Sequence, residues 1–77
     1  MSYRSTLMDR SKLISEARSS KGLVGRKVAE LVQTEASYIY AMEAGRRPVT
    51  DEMIRRYHEA GILGREEAAS ALLGDAA

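Results

Sequence analysis

The sequence predicts an all-α protein, a compact bundle of about five short helices. Three observations lead there. Proline occurs once, at Pro48; β-branched residues never gather into an alternating run; and Gly, Ser and Thr punctuate the chain at helix-length intervals. Seventy-seven residues is room for a single domain, 1–77. A chain of this size buries only about 60% of the surface its unfolded form exposes, so its stability margin is thin and self-association is one ordinary remedy.

Each element has its own signal. Thr6 with Asp9 three residues later marks a helix start, and Leu7, Ile14 and Ala17 then recur on one face. Gly22 follows Ser19-Ser20-Lys21 where a left-handed residue would end that helix. A second helix is expected over about Gly25 to Val32, with Val28, Leu31 and Val32 as its buried stripe and Ala29 allowing another helix to approach closely. Gln33-Thr34 breaks the period after two turns. Thr34 is expected to cap a third helix, Glu35 to Ala44, with Ile39 and Met42 inward and Gly45 closing it. Thr50 is a good N-cap for a fourth, and Asp51 and Glu52 in its first turn favour the helix dipole. Met53, Ile54 and Tyr57 face inward until Gly61. Ile62 and Leu63 form a buried bridge to a fifth, Ala-rich helix from about Arg65 to Leu73, with Gly74 beyond.

Composition removes whole classes of function. There is no cysteine, hence no disulfide framework and no thiolate metal site. His58 is the only histidine and has no second ligand near it, so neither a metal nor a cofactor is expected. Ser, His and Asp occur without the spacing of a nucleophile elbow or triad, and an enzyme is not expected. Gly22-Leu-Val-Gly25-Arg-Lys matches the Gly-x-x-Gly loop of a KH RNA-binding domain, but that domain needs a sheet. The same stretch lacks the glycine spacing of a phosphate-binding loop. Met8, Met42 and Met53 read as core filler. No apolar run approaches the roughly 20 residues that span a bilayer, and the charged start lacks a secretion signal. The expectation is a soluble, cytoplasmic protein with no membrane and no small-molecule ligand.

The charge is polarised along the chain. Residues 1–49 hold nine Lys/Arg against five Asp/Glu, and residues 50–77 hold three against six. That division suits a protein with one anion-facing end, although solvated faces can produce it by chance.

The informative stretch is Gly22 to Pro48, GLVGRKVAELVQTEASYIYAMEAGRRP. Two short helices joined by a tight turn make a helix-turn-helix unit, here over about residues 24–45, whose second helix enters the major groove of DNA. Such a unit needs a small residue in the first helix, a tight turn, and apolar anchors on the second. Ala29, Gln33-Thr34, and Ile39 with Met42 meet those needs. Over about residues 12–63 the chain resembles the phage repressor and Cro-type helix-turn-helix domains, which are lambda-repressor-like in fold. Ser37-Tyr-Ile-Tyr-Ala-Met-Glu-Ala-Gly-Arg-Arg carries the likeness most specifically. Three positions depart from that pattern: Gln33 stands at a usual glycine, Thr34 at a common aliphatic, and Gly25 at a frequent glutamine. Gln33 must therefore take a left-handed conformation, or the turn must differ.

The resemblance implies roles for named residues. Arg18 and Glu43 match positions that form an interhelical ion pair. Glu35, Ala36, Ser37, Tyr40 and Ala41, with Ala44, would face the groove. Ser37 can bond to base edges or phosphate, Tyr40 offers a ring and a hydroxyl, and Ala36 or Ala41 can touch a thymine methyl. Glu35 can accept from cytosine N4, or it sits on the helix N-terminus and repels phosphate. Phosphate contacts fall to Arg26 and Lys27 before the reading helix and to Arg46 and Arg47 after it. Tyr38 lies at the protein–DNA margin or packs partly into the core.

Leu72 and Leu73 end a short helix with little core left to cover, which suggests a dimer contact. The alternative is that helix 65–73 folds back on its own domain. A two-fold dimer would read an inverted repeat with recognition helices about 34 Å apart. The expected function is a sequence-specific, duplex-DNA-binding transcriptional regulator of a bacterial or phage-infected cell, such as a Cro-like repressor. A second reading uses the same fold as a protein-interaction module for a host factor, a toxin or a polymerase subunit. It draws on the absence of Arg, Lys, Asn and Gln from Glu35 to Ala44.

Overall fold

Helices form here where an apolar stripe at three- and four-residue spacing runs between a start signal and a left-handed stop. The computed structural model describes residues 10–73, which hold five α-helices and no strand. They are α1 (Arg10–Ser20), α2 (Gly25–Val32), α3 (Ala36–Glu43), α4 (Asp51–Glu59) and α5 (Arg65–Leu73). The fold is thus all-helical and compact, around a single core. Thr6, Leu7, Met8 and Asp9, expected to open the first helix, lie outside the described residues, as does Gly74. No helix among the described residues is long and apolar enough to cross a membrane.

Ile14 and Ala17 of α1, Val28, Ala29 and Val32 of α2, and Ile39 and Met42 of α3 meet Met53, Ile54 and Tyr57 of α4 in that core. Val49 seals it at the loop before α4, and Ile62, Leu63 and Ala68 seal it from the far side. α3 lies mainly against α2 and α1, α4 against α2, and α5 against α4.

The first four helices end in one way. After α1, the Gly22 N–H donates to the Ser19 carbonyl and the Leu23 N–H to the Arg18 carbonyl. The same bond pair recurs at Gly45-Arg46, at Gly61-Ile62 and at Gln33-Thr34. This arrangement satisfies carbonyls left over at a helix end and requires one residue with positive φ. Gly22, Gly45 and Gly61 adopt it without steric conflict, whereas Gln33 is the one non-glycine residue so placed among those described, at φ 61°. At the start of α4, the Thr50 hydroxyl accepts from the Met53 N–H, 3.2 Å away.

Three sequence expectations need correction. Leu31 is not part of the buried stripe of α2; it is 41% exposed, because the face that meets the core is centred on Gly25, Val28, Ala29 and Val32. Thr34 does not cap α3. Its N–H closes the turn on Ala29, so Glu35 takes the N-cap position, with no side-chain bond, and the helix runs Ala36–Glu43. Leu72 is half-buried against the core rather than left over, while Leu73 is 72% exposed.

Two arginines tie distant segments through backbone carbonyls. Arg10 donates to the carbonyls of Val49 and Ala71 and to the Asp51 carboxylate, at 2.7–2.8 Å, latching α1 to both ends of the second half. Arg56 of α4 donates to the Val32 carbonyl at 3.1 Å and so clamps the end of α2. His58 donates through Nδ1 to the Leu63 carbonyl, 3.0 Å away, a local bond that steadies the turn after α4.

Tyr57 is fully buried, and its hydroxyl meets no hydrogen-bond partner among the described residues. Burial pushes its phenol above the ordinary tyrosine range; the Glu43 carboxylate pushes the same way and Arg18 opposes. The folded chain therefore keeps a proton that the unfolded chain releases near pH 10. Stability from this source is complete below pH 10 and falls as pH rises past it, by up to about 1.4 kcal/mol per pH unit. Tyr57→Phe should lose that slope while matching or exceeding wild-type stability at pH 8. Urea midpoints at pH 8 and 11 test this, and a parallel alkaline decline in both proteins would refute it. Gln33→Gly should stabilise the fold by about 0.5–1 kcal/mol, seen as a higher urea midpoint, by relieving the left-handed strain; an unchanged or lower midpoint would contradict the strain.

Candidate nucleic-acid interface

α3 is an eight-residue helix with two unlike faces. Ile39 and Met42 are fully buried, and Ala36 packs partly against the core. On the opposite side Ser37, Tyr40, Ala41 and Ala44 follow one another at the three- and four-residue spacing that makes a single stripe. Ser37, Tyr40 and Ala44 are exposed and Ala41 half-buried. Apart from Ser37 the stripe is apolar and, apart from Tyr40, low in profile.

The helix is braced at its C-terminal end. The Arg18 guanidinium donates twice to the Glu43 carboxylate, from Nε at 2.7 Å and from Nη2 at 3.0 Å. Its remaining nitrogen donates to the Leu23 carbonyl at 2.9 Å. One side chain thus joins α1, α3 and the turn that starts α2. Both partners are mostly buried, with side chains 23% and 11% exposed. Such two-pronged, charge-assisted pairs fix orientation as well as position.

Tyr40 is 48% exposed, and its ring rests on Gly25 at the start of α2. A Cβ built on Gly25 would lie only 2.5 Å from the ring Cζ and 2.6 Å from the hydroxyl oxygen. In the sequence Gly25 stands out only as a missing glutamine. Its role as a seat depends on how α3 crosses α2, a geometry that no local pattern carries.

Cations flank the stripe. Arg26 and Lys27 are exposed in the first turn of α2, and Arg46 and Arg47 are exposed after α3. Lys27 pairs at 3.7 Å with Glu30 on its own helix. Arg26 and Arg46 have no acidic partner among the described residues. Arg47 lies 5.8 Å from the centre of the half-buried Tyr38 ring, a cation–π distance. Tyr38 also packs partly against the core, the second of the two readings given for it. Glu35 stands exposed at the N-cap, its carboxylate free of any capping bond. Acidic residues gather elsewhere, on α4 and α5, where Glu52 pairs with Arg55 and Arg56, and Glu67 accepts from the Gly64 N–H. No group of three or more His, Asp or Glu placed to hold a metal occurs among the described residues.

No protein-family model, no curated protein and no solved structure matches this chain. Its function is therefore read from the residues themselves. Removing the Glu43 carboxylate would leave the Arg18 guanidinium mostly buried and uncompensated. Glu43→Ala should destabilise by about 2 kcal/mol, below the range for a fully buried pair because Arg18 still reaches water. Chemical denaturation measures this; a loss under about 0.5 kcal/mol would remove the pair as the brace of α3.

Proposed function

We propose that this chain is a sequence-specific duplex-DNA-binding regulator, with α2 and α3 acting as a helix-turn-helix unit and α3 lying in the major groove. One observation carries the reading: a short, rigidly braced helix presents a low stripe of Ser37, Tyr40, Ala41 and Ala44, with exposed arginines before and after it. A groove about 12 Å wide admits a helix of this kind, and its base edges offer hydrogen bonds to Ser37 and methyl groups to the alanines. Arg26, Arg46 and Arg47 reach phosphates, which position the protein without specifying sequence. Leu73, exposed at the end of α5, supports association of two copies on an inverted repeat, with reading helices one DNA turn apart.

The second reading, a protein-interaction module, draws on the same stripe. It holds no Arg, Lys, Asn or Gln, and Tyr40 with the alanines would equally suit an apolar partner surface. Selection of sites from random duplex DNA at moderate salt, with complexes sized by light scattering, separates the two. A dimer on an enriched inverted repeat supports the regulator, and no enrichment supports the protein-interaction module.

Arg46→Ala with Arg47→Ala should weaken binding about equally on all sequences. The slope of log affinity against log salt should fall by about 0.9 for each lost phosphate contact, hence by about 2. Ser37→Ala should instead change the preferred site. A double arginine variant with the wild-type salt slope would remove the phosphate assignment.

A further inference from the structure

Glycine at position 25 has no backbone reason to be there. The residue opens α2 with a φ outside the positive range, and alanine is the better helix former. What the missing side chain does is leave room. The three atoms nearest to an added Cβ all belong to the tip of the Tyr40 ring, at 2.5–2.6 Å. Van der Waals contact between carbons begins about 1 Å farther out, so ring and side chain exclude one another. Tyr40 is the far end of a flexible, half-exposed side chain, so an added methyl would displace the ring rather than unfold the domain.

The seated ring has a consequence for what α3 can read. Held against Gly25 at the start of α2, the ring belongs to the same outward stripe as Ala41 and Ala44 by its helical spacing. The three together form an apolar strip with no amide or guanidinium to pair with guanine or adenine edges. In the major groove the apolar group that distinguishes one base is the C5 methyl of thymine.

We propose that Gly25 is a positioning residue: it seats Tyr40 so that Tyr40, Ala41 and Ala44 make one strip selective for thymine methyl groups. This rests on the DNA-binding reading above. Gly25 touches no base; it acts through the Tyr40 ring.

The test uses the full chain and the duplex recovered by site selection, with each thymine of the half-site replaced in turn by deoxyuridine, which lacks only the methyl. Wild type should lose roughly fourfold in affinity at each thymine under the strip, the worth of one buried methyl-sized group. Gly25→Ala and Tyr40→Ala should both bind thymine and uracil alike at the Tyr40 position while keeping the wild-type salt slope. Tyr40→Phe should keep the discrimination, because the ring and not the hydroxyl carries it. In the free protein, nuclear Overhauser contacts between the Tyr40 ring and the Gly25 α-protons should be present, and the Gly25→Ala variant should lose the ring's contact with that position. Equal wild-type binding to thymine and uracil duplexes would overturn the methyl reading and leave DNA binding intact. Retained discrimination in a folded Gly25→Ala variant would overturn the positioning role. Failure to bind any duplex would overturn the DNA-binding reading and this inference with it.

Discussion

Arg18 is the joint on which the arrangement of α1, α2 and α3 depends. Its five N–H donors leave α1 in a fixed fork, and three nitrogens find acceptors on two different segments, the Glu43 carboxylate and the Leu23 carbonyl. Apolar packing of Ile39 and Met42 holds α3 against the bundle but is non-directional. The two-pronged bond adds direction: it fixes α3's rotation about its axis, and therefore which residues face outward. Both charges of this pair act on the buried Tyr57 phenol, Glu43 raising its pKa and Arg18 lowering it.

That division of labour explains the unusual composition of α3. The inward side must supply bulk, which Ile39 and Met42 do, and the rim must supply a charge for Arg18, which Glu43 does. The outward side is left with small residues and a tyrosine whose ring lies down against Gly25. A helix face without long side chains lets its backbone approach a surface closely. The long cationic side chains come before and after α3 in the chain, at Arg26 and at Arg46 and Arg47, while Asp51, Glu52, Glu59, Glu66 and Glu67 fall on α4 and α5. The near-neutral total charge thus hides a strongly divided one.

Much of the fold was legible in the chain because its punctuation is local chemistry. Gly22, Gly45 and Gly61 announce left-handed stops, Thr50 announces a start, and the three- and four-residue spacing of Val28 with Val32 and Ile39 with Met42 picks out inward faces. At Gln33 the sequence left two outcomes open, a left-handed residue or a different turn, and the left-handed one is found. What stayed hidden depends on neighbours far along the chain. Arg10 reaches residues 39 and 61 positions away, and Arg56 reaches back 24. Leu31 looks inward by period, yet the buried face of α2 stops short of it. Thr34 and Glu35 compete for the same N-cap, and the bond from Thr34 to Ala29 decides between them. The candidate site divides likewise: its charged and small residues are visible in sequence, and the Gly25–Tyr40 seat is not.

None of the five helices exceeds 11 residues, and α2 and α3 have eight each. Isolated helices shorter than about 12–15 residues are marginal in water, because nucleation is unfavourable and too few turns follow to offset it. The outward stripe of α3 accordingly has no existence apart from the assembled bundle, and every occupant of that stripe is thermodynamically linked to folding. A ligand present at a hundredfold excess over its Kd adds about 2.7 kcal/mol to the stability of a protein that binds only when folded. For a domain of this size that is a rise of about ten degrees or more in melting temperature. The bundle is, in effect, its own thermometer for whatever its third helix holds.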